Sequence, residues 1–286
     1  MLLLGRGWVG SEIERVAAGH SKVDSVIAID PPFDPVLAPR DAAATTHLRG
    51  LITEGSVDCV INACGRVSGT DLEMDDANHL FVEWLCETLM PTGVRFVHIG
   101  SASEYGDPGT SDRLDESTPA APAGAYATSK TAGSEVVLAT QHQGMNTTVA
   151  RVFNIVGYPI PPVSPVHQWL GDLTDLGPGG GEIVVWWPPT TRDFSLIEDV
   201  ARALVDLALL DSAPPIVNVC SGVPLRYGDI VAALAGALEL DVAIRSLDRP
   251  GIERVVGSPT LLREVIGWAP TMSAQVLARR ATGQDR

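Results

Sequence analysis

Apolar and polar positions follow two different rhythms in the first half of the chain. Short apolar runs at 1–4, 26–30, 58–63 (DCVINA), 95–99 (RFVHI) and 148–153 read as buried strands. Between them, 8–18, 77–89 and 125–140 carry helical periodicity, and in the second of these Leu80, Trp84 and Leu85 share one stripe. Pro31-Pro32 ends the second run, because proline has no N–H to continue a ladder. Strands alternating with helices are the signature of βαβ units. The pattern predicts an α/β fold, a Rossmann-like doubly wound parallel sheet.

After Gly157 the rhythm breaks. Prolines fall at 159, 161, 162 and 165, followed by PGGG at 178–181 and WWPPTT at 186–191. Such punctuation suits a smaller, irregular lobe. Two helices remain legible there, at 197–210 and 227–238. The expected division is 1–157 for the sheet domain, with 192–212 packing back onto it, and 158–286 for the small C-terminal lobe.

Composition narrows the function by exclusion. Of 286 residues, 45% are hydrophobic and 19% charged, which suits a compact soluble chain. No run approaches the roughly 18 apolar residues that span a bilayer, so no membrane partner is expected. A net charge of −15 opposes binding along a phosphate backbone, so no nucleic-acid partner is expected either. Cys59, Cys64, Cys86 and Cys220 lack CxxC spacing, and the histidines lack HxxxH spacing, so no metal site is expected. Residues 1–4 are too short for the apolar core of a leader. Unpaired cysteines then read as reduced thiols of a cytoplasmic protein.

Chemistry enters at Gly5-Arg6-Gly7-Trp8-Val9-Gly10, a GxGxxG turn between a strand and a helix. The first glycines let the backbone approach a pyrophosphate, the last lets helix pack on strand, and the helix N-terminus offers free N–H groups. Alone the motif is common. Asp30, at the end of the next strand, adds a carboxylate that accepts hydrogen bonds from ribose hydroxyls and repels a 2′-phosphate. Asp30 favours NAD. Arg6 keeps NADP open, since its guanidinium sits where a 2′-phosphate could pair with it, though a solvated loop arginine is the plainer account.

Tyr126 and Lys130 lie four residues apart, on one face of the predicted helix. A tyrosine hydroxyl, with pKa about 10, is a poor acid–base group at neutral pH, and a nearby ammonium stabilises its phenolate. Ser101 ends the strand just before this helix, at the carboxyl edge where parallel sheets bind ligands. Its hydroxyl could polarise a carbonyl oxygen while Tyr126 moves the proton.

GSASEYG (100–106), YATSK (126–130) and RVFNIVG (151–157) resemble successive signatures of the extended short-chain dehydrogenases/reductases, the NAD-dependent epimerase/dehydratase family. Asn78, RDFSLIEDVARAL (192–204), Asn218, Ser221-Gly222, RPG (249–251) and IGWAP (266–270) extend the likeness over nearly the whole chain. The resemblance implies an NAD(P)-binding domain, a substrate-binding lobe, and a homodimer paired through the helices carrying Asn78 and Tyr126. It implies catalysis by Ser101, Tyr126 and Lys130, and cofactor contacts from the glycine turn, Ala63, Cys64, Gly65, Phe153 and Val156. Ser103, Asn154, Arg192 and Arg249 would meet a nucleotide sugar, the two arginines on its diphosphate. Each arginine taken singly could equally be a surface ion pair.

Departures from the family pattern bear on the reaction. Leu4 stands where a glycine is usual, the third strand lacks its adenine-side Asp (the nearest match is Thr46-His47-Leu48-Arg49), and Asn62-Ala63-Cys64-Gly65 replaces HLAA. Dehydratases of the family carry Asp-Glu after the catalytic Ser or Thr, where this chain has Ala102 and Ser103. Ser103 is too weak an acid to replace them. What remains is reduction of a keto group on a nucleotide-activated sugar, or C4 epimerisation with bound NAD. Reduction of a non-sugar carbonyl, and dinucleotide sensing without turnover, stay open. A lobe of about 130 residues is compact for the family and favours the ketoreductase. His98 reads as a packed strand residue and His167 as a lobe residue near the substrate. Trp186 and Trp187 read as lobe packing, and Cys64 as a small packed side chain.

Overall fold

The computed structural model describes residues 1–30, 42–109, 112–186, 189–247 and 251–285. In chain order it has β1 (Leu2–Leu4), α1 (Trp8–Ala18), β2 (Ile27–Ile29), α2 (Ala42–Glu54), β3 (Cys59–Asn62), α3 (Asp71–Asp75) and α4 (Phe81–Leu89). Next come β4 (Arg95–Ser101), α5 (Ala125–His142), β5 (Thr147–Val152), β6 (Asn154–Val156), α6 (Pro165–Leu176), β7 (Gly181–Trp186), β8 (Thr191–Leu196) and α7 (Ile197–Ala208). The chain ends with β9 (Ile216–Val219), β10 (Pro224–Arg226), α8 (Tyr227–Ala237), β11 (Val242–Leu247), β12 (Arg254–Val255), α9 (Thr260–Ile266) and α10 (Ala274–Ala281).

Six strands form one parallel sheet in the order β2-β1-β3-β4-β5-β9. The side-chain period of two explains its two covered faces. Leu3, Ile61, Val97 and Ala150 point to one side and pack with Ile13 of α1 and Val200 and Leu204 of α7. Leu2, Leu4, Val60 and Phe96 point to the other and pack with Leu48, Phe81, Leu85 and Val137 of α2, α4 and α5. The strand order reverses between β1 and β3, and the crevice beyond their carboxyl ends is where a doubly wound sheet takes its ligand.

A separate apolar cluster joins α6, α8 and α10 to Ile183 and Val185 of β7. β7 pairs with β11, and β8 pairs with β6, β10 and β12. This second body stands over the carboxyl edge of the main sheet, with Arg192 of β8 and Asn154 of β6 lining one cavity together with Ser101 of β4.

Several expectations change. Thr46–Arg49 forms no strand but lies inside α2, and among the described residues no strand stands between β2 and β3. The helix expected over 77–89 is a π-helical turn, Asp76–Leu80, running into α4. The apolar run read over 95–99 lies within β4, which ends at Ser101 as the sequence implied. Pro31 and Pro32 lie outside the described residues. Among the described residues no helix is long and apolar enough to cross a membrane, and no group of His, Cys, Asp and Glu could hold a metal ion.

Candidate active site

The glycine turn is shaped by close approach. Gly5 has φ of +90°, and a Cβ there would lie 2.9 Å from Cys64 Sγ. A Cβ on Gly10 would lie 1.9 Å from the Gly5 carbonyl oxygen, so only glycine lets α1 start this near the turn. Gly7 caps α1 without a side-chain hydrogen bond, which leaves the first N–H groups of the helix open to a ligand. Gly7, Trp8 and Val9 face the cavity. This is a cradle that fits a dinucleotide pyrophosphate.

Asp30 is tied into the same turn. Its carboxylate accepts the Arg6 backbone N–H at 2.8 Å, while Gly5 N–H donates to the Ile29 carbonyl at 2.8 Å. The Arg6 guanidinium turns away to Glu14, with Nε 2.9 Å from Oε2. The Arg6 charge is therefore already paired where a 2′-phosphate would need it.

Tyr126 and Lys130 sit one turn apart on α5, facing the end of β4. The Tyr126 and Ser101 side chains line the same cavity. Ser101 Oγ accepts the Ser103 N–H at 3.2 Å and the Ser103 hydroxyl at 2.8 Å. Lys130 Nζ donates to the Ile99 carbonyl. Burial pulls the Lys130 ammonium down to about 8, against the opposing pull of Glu104 and Cys64. Burial raises the Tyr126 hydroxyl, the Ser101 side chain lowers it, and the Glu104 charge raises it. His98 lies fully buried on β4, with Nδ1 3.1 Å from the Asn62 amide nitrogen and burial holding its pKa well below the usual value.

These groups open on one cavity of about 770 Å³. Ala63, Cys64 and Gly65 line it beyond β3; burial raises the Cys64 thiol to about 12, so it packs as a neutral group. Ser101, Ser103, Tyr126 and Lys130 line it from β4 and α5, and Phe153, Asn154 and Arg192 complete it. Asn154 donates its amide to the Asp193 carbonyl at 2.9 Å. Arg192 donates to the carbonyls of Thr191 at 2.9 Å and Ile252 at 2.8 Å, and lies 5.8 Å from the Tyr227 ring centre. Among the described residues no carboxylate pairs with it, and burial lowers its pKa.

Some expected residues are elsewhere. Val156 is fully buried in the lobe cluster and does not reach the cavity. His167 holds the Ile160 carbonyl with Nδ1 at 3.1 Å, also off the cavity wall. Trp186, at the end of β7, is 46% exposed. Arg249 and Trp187 lie outside the described residues.

Two side chains matter here that spacing alone could not place. Asn78, expected on a dimer-side helix, lines the cavity from the π-helical turn. Its amide donates to the Arg66 carbonyl at 2.8 Å and Ser129 Oγ at 3.0 Å, and its oxygen accepts the Arg66 N–H at 2.9 Å. Glu104, three residues after Ser101, is fully buried and ion-paired with Arg151 at 2.9 Å. An acidic residue between a serine and a tyrosine gives no sign in sequence of pointing inward.

A sequence profile of the NAD dependent epimerase/dehydratase family matches residues 1–220. A dTDP-6-deoxy-L-talose 4-dehydrogenase (NAD(P)(+)) of Kitasatospora kifunensis is 31% identical over 250 residues, covering 82% of this chain and 77% of the relative. A GDP-6-deoxy-D-mannose reductase of Pseudomonas aeruginosa is 25% identical over 231 residues, 76% of each chain. Among solved structures, RMD from Pseudomonas aeruginosa complexed with NADPH superposes with a TM-score of 0.84 at 22% identity, covering 99% of this chain and 97% of that one.

Proposed function

This chain belongs to the NAD-dependent epimerase/dehydratase family and is an NAD(P)-dependent enzyme, and from that premise we propose that it reduces a keto group on a nucleotide-activated sugar. Residues 1–157, with 192–212 packed back onto them, hold the dinucleotide, and 158–286 hold the sugar nucleotide. One observation carries the reading: the Ser101 and Tyr126 side chains and the Arg192 guanidinium, which pairs with no carboxylate among the described residues, open on the same cavity. A carbonyl oxygen can be held at the first while a diphosphate is held at the second, since arginine presents a fork to phosphate oxygens.

Ser101 and Tyr126 bind the carbonyl oxygen, and Tyr126 passes its hydroxyl proton to that oxygen as negative charge develops there. Lys130, charged and buried one turn further along α5, stabilises the phenolate left behind. Bound NADH or NADPH supplies the hydride. Asn154 and Ser103 line the wall beside the reacting group. Ala102 and Ser103 offer no carboxylate for eliminating water, and Glu104 is committed to Arg151. That separates this site from a dehydratase.

The Asp30 contact to the glycine turn and the Arg6–Glu14 pair support NAD as the preferred cofactor. Two copies pairing through the helices that carry Asn78 and Tyr126 belong to the same reading, and light scattering in solution tests that assembly.

Screening keto-sugar nucleotides with NADH and NADPH tests the function. Stoichiometric loss of NADH with one of them is the expected result. Purified protein carrying tightly held NAD, interconverting C4 epimers without net NADH consumption, would replace the reductase by an epimerase.

A further inference from the structure

The strongest unassigned feature lies directly behind Ser101. Glu104 Oε1 accepts the Ser101 backbone N–H at 2.7 Å and the Ser134 hydroxyl at 3.0 Å, and Oε2 accepts Arg151 Nε at 2.9 Å. The carboxylate is fully buried, and room for it depends on Gly100, where a Cβ would lie 2.7 Å from Oε1. Its three partners sit on three elements: Ser101 ends β4, Ser134 is on α5, and Arg151 is on β5. Tyr126, Lys130 and Ser134 form one stripe on α5, each four residues from the next. Arg151 is steadied in turn by the Tyr105 ring, 4.5 Å from its guanidinium carbon.

We propose that Glu104 is a positioning residue: its carboxylate clamps the Ser101 backbone to α5 and β5 and sets a fixed negative charge beside Tyr126 and Lys130. The proposal rests on the reductase reading for its consequence in turnover, but the charge itself is measurable without turnover.

The charge has a definite sense. Glu104 favours the Lys130 ammonium and opposes the Tyr126 phenolate, so it raises both groups. The other titratable groups facing the pair are Cys64 beyond β3, His98 on β4 and Arg66 in the cavity wall, with Arg151 of β5 facing Glu104 itself. Cys64, raised to about 12, and His98, depressed by burial, are both neutral around pH 7. Arg66 pairs with Glu73 at 3.2 Å. Burial is the largest influence on both groups, and Glu104 is the anion that biases the pair toward its protonated forms. It keeps a proton on Tyr126 ready for donation and a charge on Lys130 to receive the phenolate.

The experiment is a tyrosinate titration by ultraviolet difference absorbance, comparing each protein with its own Tyr126→Phe counterpart so that only Tyr126 is read. In Glu104→Gln, which keeps an oxygen for the Ser101 N–H but removes the charge, Tyr126 titrates lower by about one pH unit. The alkaline limb of kcat also moves to lower pH, because the same charge supports the Lys130 ammonium. Ser134→Ala keeps the charge and loses one hydrogen bond; it lowers kcat and leaves the Tyr126 titration where it was. Should Glu104→Gln fail to fold with Arg151 left unpaired, Glu104→Gln/Arg151→Met takes its place with the same expected shift, because Arg151 is not among the charges that move Tyr126 or Lys130. An unmoved Tyr126 titration in the charge-removed protein overturns the proposal. A shifted titration in a protein that reduces no keto sugar upholds it and sinks the reductase reading instead.

Discussion

Gly133 on α5 presses against the main chain of Asn78 so closely that a Cβ there would lie 2.0 Å from the Asn78 carbonyl oxygen. The contact joins the helix bearing Tyr126 and Lys130 to the π-helical turn whose Asn78 amide lines the cavity. A side chain on Gly133 has backbone in its way, and backbone cannot swing aside as a flexible side chain would.

Gly133→Ala is therefore expected to destabilise the fold by about 1–3 kcal/mol, despite alanine's better helix propensity. Thermal unfolding measures it. A raised Tm would show that α5 and the π-helical turn can part without cost.

Tyr126→Phe keeps the ring and removes the hydroxyl that shares the cavity with Ser101. Turnover should fall by about 10²–10⁴-fold, the usual contribution of a positioned proton donor, while NADH affinity changes little. Steady-state rates and quenching of protein fluorescence by NADH separate the two. Undiminished turnover would remove Tyr126 from the mechanism.

Lys130, pulled down to about 8 by burial, loses its charge near physiological pH. The ammonium is the form that stabilises a phenolate, so kcat/KM of the free enzyme should fall as pH rises through about 8. Lys130→Met should be slow throughout and lack this limb. A wild-type profile flat to pH about 10 would mean that Lys130 keeps its ordinary basicity.

Asp30→Ser should raise kcat/KM with NADPH relative to NADH by about tenfold, equivalent to about 1.4 kcal/mol of relieved repulsion against a 2′-phosphate. Adding Glu14→Gln, which frees the Arg6 guanidinium, should extend the shift in the same direction. An unchanged cofactor ratio in the double variant would place the adenosine ribose away from this turn.

Arg192→Ala should raise KM for the sugar nucleotide by about 10–100-fold, the loss of one charge-assisted hydrogen-bonded contact of about 1.5–3 kcal/mol. NADH affinity should hold. Isothermal titration with the free nucleoside diphosphate reports the same loss without turnover, and equal binding to wild type and variant would reassign Arg192 to lobe packing.

Local signals carried much of this protein. Helix α1 begins and ends where its periodicity starts and stops, because it packs one apolar stripe on the sheet. The strands of the first half announced themselves as apolar runs, since both sheet faces are covered and neither needs polar positions. Ser101, Tyr126 and Lys130 were legible from a strand end and a four-residue spacing, both local properties of the chain.

Long-range contacts decided the rest. Ile216–Val219 joins the main sheet as β9 and packs against a strand more than sixty residues earlier, a pairing no periodicity can announce. The π-helical turn looks like ordinary helix in sequence; what distinguishes it is the fit of Gly133 against Asn78. Val156 belongs to a recognisable motif, yet its side chain is buried in the lobe core while Asn154 and Ile155 reach the cavity. Arg6 reads as a free cation until Glu14 is seen to hold it. Glu104 reads as one more acidic residue in a chain of net charge −15. Sequence by itself determined which residues could do carbonyl chemistry and on which kind of fold. Only tertiary structure decided which charges remain free and which are buried and paired, because charge pairing depends on distances that spacing along the chain does not set.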